Sequence, residues 1–65
     1  MCINRDKIKS LRIEKGWKRN ELAVKMETSE SVIWSIEQDK KYDPRINTIV
    51  KMSKVFEVEI NELLQ

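Results

Sequence analysis

The sequence predicts an all-α domain, and three observations carry that expectation. Its isoleucine, leucine and valine residues recur at intervals of three and four, the period of a buried helix face, and not at the interval of two that marks a strand. The only glycine and the only proline, Gly16 and Pro44, fall between the periodic stretches and not within them. Asn4 and the pair Thr28-Ser29 stand just before such stretches, where a short polar side chain can accept from an orphaned first-turn amide.

Five helices are expected in order. The first follows an Asn4 cap and runs to about Lys15, with Ile8 and Leu11 inward and Lys7, Lys9 and Glu14 outward. Gly16 comes next, where a left-handed C-cap favours a residue without a Cβ. The second, over residues 19–26, places Leu22, Ala23 and Met26 on one face. The third, over 30–38, turns Ile33 and Ile36 inward and leaves Glu30, Ser31, Trp34 and Ser35 pointing elsewhere. The turn between these two is too short to be a flexible linker, so the stretch 19–40 organises the chain. Asp39, Lys40, Lys41, Tyr42 and Asp43 then form a loop, and Pro44 leads into a fourth helix with Ile46, Ile49, Val50, Ser53 and Phe56 inward. A short fifth helix over 58–65 packs Ile60, Leu63 and Leu64, and Met26 and Met52 fill gaps in the core.

Sixty-five residues suffice for one domain, 1–65, with a single core. The lone Cys2 excludes an internal disulfide, fits a reducing, intracellular setting and sits near a terminus expected to fray. With no histidine there is no Cys/His metal cluster and no Ser/His or Cys/His relay, so no metal, no cofactor and no enzymatic activity are expected. No apolar run is long enough for a signal peptide or a membrane span, which predicts a soluble cytoplasmic protein. The formal net charge of +2 argues neither for nor against nucleic acid, but its distribution is uneven. Residues 1–20 hold seven Lys/Arg against two acids, 21–40 two against five, and 41–65 four against four. The third helix therefore lies in the most acidic part.

The order of residues resembles the helix-turn-helix domain of the phage-repressor and Cro family, also called Xre-like. The matching marks are Ile8-x-x-Leu11-Arg12, Lys15-Gly16-Trp17, Glu21-Leu22-Ala23, Ser29-x-x-x-Ile33-x-x-Ile36-Glu37, Pro44 and Val58-x-Ile60-x-Glu62-Leu63, which cover essentially the whole chain. The resemblance implies a five-helix lambda-repressor-like DNA-binding domain with a central helix-turn-helix at about 19–38. It implies sequence-specific binding to double-stranded DNA by a small transcriptional regulator, a repressor, whose third helix enters the major groove. It also implies a homodimer on a near-palindromic operator.

Carried over position by position, base contacts fall on Glu30, Ser31 and Ser35, with Val32 and Trp34 beside them. Serines can bond several base edges, a glutamate accepts from a cytosine amino group, and a valine can meet a thymine methyl. Phosphate contacts fall on Arg19, Lys40, Lys41 and Arg45, with Lys18 adjacent, and cations at a helix start add to the pull of its free amides. Arg12 and Glu37 match a pair that forms a buried salt bridge in the family. Lys18 and Arg45 replace the usual Ser or Thr caps, each at a cost of about 1 kcal/mol. Arg19 replaces a common glutamine, and Glu27 and Asp39 replace common glycines. Asp39 is expected to tolerate a left-handed conformation, and Asp43 to be repelled by a nearby DNA backbone.

The family's usual use, with Val58, Ile60 and Leu64 crowding the C-terminus, points to dimerisation there. A second reading keeps the fold but makes it a protein-interaction module, an antitoxin-like partner that uses Trp34 and the acidic third helix. No small-molecule substrate is indicated.

Overall fold

The structure, a computed structural model, describes residues 3–64, so Cys2 and Gln65 lie outside the described residues. Five helices follow one another: α1 (Arg5–Glu14), α2 (Arg19–Lys25), α3 (Glu30–Gln38), α4 (Ile46–Phe56) and α5 (Ile60–Leu63). The all-α expectation holds. Each helix supplies part of one core, whose most deeply buried side chains are Ile8, Leu22, Ile33, Ile36, Ile49, Met52, Phe56 and Leu63. Contacts run from α3 to both α1 and α2, and from α5 to both α1 and α4. None of the described helices is long and apolar enough to cross a membrane.

The helix starts are set locally. The Asn4 side-chain oxygen accepts from the Lys7 amide at 3.1 Å, and the Ser29 hydroxyl accepts from the Val32 amide at 3.4 Å. Lys18 caps nothing with its side chain, but the Glu21 carboxylate accepts from the Lys18 amide at 3.0 Å. That is half of a capping box, and it offsets part of the missing hydroxyl cap. Glu62 does the same for the Glu59 amide at the start of α5, at 3.1 Å. Arg45, before α4, makes no side-chain cap.

Three helices stop by one device. After α1 the amides of Gly16 and Trp17 donate to Ile13 and Arg12, after α2 those of Glu27 and Thr28 to Val24 and Ala23, and after α4 those of Glu57 and Val58 to Lys54 and Ser53. This is the Schellman arrangement, which requires a left-handed residue just past the helix. That residue is Gly16 (φ 75°) in the first case but Glu27 (φ 55°) and Glu57 (φ 58°) in the others. A side chain there crowds its own carbonyl. Replacing Glu57 with glycine is therefore expected to raise stability by roughly 0.5 to 1 kcal/mol, after the glycine's own entropy loss. The check is an upward shift of the urea midpoint at unchanged slope.

Several sequence expectations are corrected. Asp39 is extended (φ −89°, ψ 103°) and not left-handed, because its carboxylate instead accepts from the Lys41 amide at 2.9 Å. Ile46 is 48% exposed. It opens α4, and a side chain at that position leans back past the helix end, beyond the core. The fifth helix begins at Ile60 and not at residue 58, because Glu57 has already turned the chain and Glu59 serves as the extended N-cap. Leu64 leaves the helix for an isolated antiparallel bridge to Ile3, and the Asn4 amide donates to the Leu63 carbonyl at 2.8 Å. Ile3, which periodicity did not select, is thereby buried in the core. Val58, Ile60 and Leu64 are half-buried and pack against that core. Among the described residues, the large apolar side chains left exposed are Ile13, Val24, Trp34 and Ile46.

Candidate nucleic-acid interface

α3 is held to the domain by Ile33, Ile36 and Glu37. Opposite them, Glu30 and Ser31 are exposed and Trp34 is 50% exposed, whereas Ser35 is half-buried at the margin. Val32 faces another way: it is half-buried against the core and lines a half-open cleft with Met26, Thr28, Asn47, Thr48, Lys51 and Glu27. The exposed row continues to Gln38, one position that the sequence reading passed over. Its spacing gives it away, because 31, 34 and 38 follow one helical stripe.

The acidity of α3 is smaller at its surface than in its sequence. Glu37 is fully buried and serves three donors. Arg12 approaches it side-on, Nε to Oε2 at 2.7 Å and Nη2 to Oε1 at 3.1 Å. The remaining Nη1 of Arg12 donates to the Trp17 carbonyl at 2.9 Å. Arg19, at the start of α2, adds Nε to Oε1 at 3.2 Å. One internal carboxylate is thus matched by two arginines, and Glu30 is the only acid that α3 turns to solvent.

Arg5 organises the far end of the same helix. Its Nη1 donates to the carbonyls of Ser35 (3.3 Å) and Ile36 (2.7 Å), and its Nη2 to those of Lys40 (3.4 Å) and Tyr42 (2.5 Å). The Ser35 carbonyl also accepts from the Asp39 amide at 2.9 Å, so Arg5 chiefly serves the other three, at the last turn of α3 and in the loop that follows, where a positive charge is favoured. Periodicity gave no sign of this role. A weaker sign was available, since a cation opening α1 opposes that helix's own dipole and so wants a partner elsewhere.

The loop after α3 carries Lys40 and Lys41, both exposed, shaped by Arg5 and by the Asp39 carboxylate on the Lys41 amide. Tyr42 closes it, its backbone amide donating a hydrogen bond to the Asp39 carbonyl at 3.0 Å. Pro44 is buried, and Asp43 and Arg45 on either side are exposed. Lys18 is exposed too, whereas the Arg19 side chain keeps 30% of its surface. Trp17 stacks on Phe56 with ring centroids 5.8 Å apart, and the Lys25 ammonium lies 4.8 Å from its centroid. That packing fixes the turn between α1 and α2.

Comparison with known proteins places these features in a family. A family model described as helix-turn-helix matches residues 8–63. The HTH-type transcriptional regulator SinR of Bacillus subtilis is 38% identical over 58 residues, 89% of this chain and 52% of SinR. SinR of Bacillus licheniformis matches to the same extent. The chain thus spans about half the length of these curated relatives. Among solved structures, SinR, the master regulator for biofilm formation, in complex with DNA superposes with a TM-score of 0.79 at 35% identity, covering 88% of this chain and 90% of that one. The restriction-modification controller protein C.AhdI of Aeromonas hydrophila reaches 0.82 at 22% identity, over 92% of this chain and 86% of that one, a likeness of fold.

Proposed function

Because the chain belongs to the helix-turn-helix family, we propose that it binds double-stranded DNA sequence-specifically as a transcriptional regulator, a repressor, with α3 in the major groove. One observation carries the reading. α3 presents an exposed row of Glu30, Ser31 and Gln38 with Trp34 among them while its opposite face is locked to the domain, which is the presentation a groove-reading helix needs. Similarity to SinR, a protein solved in complex with DNA, supports it.

In this reading Ser31 and Gln38 bond base edges, Ser35 reads from the margin, and Glu30 accepts from a cytosine amino group. Lys18, Arg19, Lys40, Lys41 and Arg45 meet phosphates. The protein acts in the cytoplasm as a homodimer on a near-palindromic operator, joined through the half-buried Val58, Ile60 and Leu64. A second reading, docking of a protein partner on α3, draws on the 50% exposure of Trp34.

Selection from random duplexes at low and moderate salt, followed by sedimentation with the winning sequence, separates the two. The DNA reading expects a two-fold motif with half-sites about one helical turn apart, bound by two chains. Affinity should fall with salt at a logarithmic slope approaching about −4.5 per chain if all five cations engage. No enrichment at any salt would transfer the role to the protein partner. Replacing Ser31 with alanine is expected to relax preference at one base position by about 1 to 3 kcal/mol. Lys41→Gln should weaken all sequences alike and reduce the slope by about 1.

A further inference from the structure

We propose that Glu37 is a positioning residue for DNA binding: from inside the domain it grips Arg19 by Nε and leaves the two terminal nitrogens of that guanidinium facing a backbone phosphate. The proposal rests on the DNA reading above and assigns a mechanism within it. Three facts support it. The Glu37 side chain is 0% exposed and cannot reach solvent or ligand itself, whereas Arg19 keeps 30% of its side-chain surface. The contact uses Nε, at 3.2 Å, and among the described residues the hydrogen bond and ion pair of the Arg19 side chain are made by Nε and not by the Nη atoms. Finally, Arg12 already holds both oxygens of Glu37, so Arg19 adds a second positive charge to a carboxylate that is already matched.

The chemistry follows from the planarity of guanidinium. Once Nε is fixed, the plane of the group is fixed, and its outer edge becomes a two-pronged donor suited to phosphate oxygens. A side chain so held gives up less freedom when DNA arrives than a lysine at the same place. Lysine carries equal charge, but its single ammonium cannot keep Glu37 and offer a planar fork at once. Charge and geometry can therefore be separated by substitution.

The test compares the wild type, Arg19→Lys and Arg19→Gln on the duplex recovered by selection, across a salt series, with exchange of the Arg19 Nε proton followed by NMR in the free wild-type protein. Both variants retain the Arg12–Glu37 pair and are expected to unfold close to the wild-type temperature. Arg19→Lys should lose affinity on the order of tenfold at every salt with its slope preserved, and Arg19→Gln should lose at least as much with a shallower slope. The Nε proton should exchange slowly without DNA. Wild-type affinity in Arg19→Lys, or rapid Nε–H exchange, would overturn the positioning role while leaving DNA binding intact. A wild type that binds no duplex overturns both.

Discussion

Replacing Glu37 with glutamine is expected to destabilise the domain by about 3 to 5 kcal/mol, because it leaves Arg12 charged, largely buried and unmatched. The Arg12 side chain is 11% exposed and has Glu37 and one carbonyl as its partners. Glutamine keeps one acceptor oxygen where the carboxylate offers two, and it brings an amide group against the guanidinium. A domain of this size has little stability in reserve, so the variant should be largely unfolded at modest urea concentration. Urea titration of the helical circular dichroism gives the number. The same logic makes a counter-prediction. The double substitution Arg12→Met with Glu37→Leu should recover most of the loss, since apolar residues of similar volume can replace a buried ion pair. A Glu37→Gln variant within about 1 kcal/mol of the wild type would mean that the Glu37 charge is not what holds Arg12 inside the domain.

Arg5→Ala should cost about 1.5 to 3 kcal/mol, the range for hydrogen bonds to a charged group. Four carbonyls lose a shared donor, two of them in the last turns of α3 and two in the following loop. At about 4 to 8 °C per kcal/mol for a domain this small, the melting temperature should drop by roughly 6 to 24 °C. Its signature should also be local. Amide exchange around residues 39–42 should accelerate more than exchange in α4, where none of the four Arg5 acceptors lies. Arg5→Lys should recover less than half of the loss, because one ammonium cannot span four acceptors. Equal loosening of the whole domain would mean that Arg5 contributes general stability and not the shape of the Lys40–Lys41 loop.

The inward sets at Ile8 and Leu11, at Leu22, Ala23 and Met26, and at Ile33 and Ile36 were legible in the chain, since a helix repeats its faces every 3.6 residues wherever it packs. So were the cap at Asn4, the left-handed turn at Gly16 and the entry into α4 after Pro44. The margins were harder. Ile46 matched the period but had no neighbour to cover it, and the fifth helix started late because Glu57 and not a glycine made the turn before it. On the candidate surface, spacing picked out Glu30, Ser31 and Trp34 as outward, but Val32 settles against the core and Gln38 joins the row.

By itself, then, the sequence determined the number, order and inner faces of the helices, because periodicity and capping act within a turn or two of chain. Beyond the Arg12–Glu37 pair, which the family resemblance implied, only the tertiary structure decided which charges are surface and which are framework. Arg5 reaches carbonyls 30 to 37 residues away, and Arg12 and Arg19 meet at Glu37 across 25 and 18. A charged side chain carries no periodic mark of its partner. Where it ends is set by which helices the core has already brought together, and by the need to match every charge that this packing takes out of water.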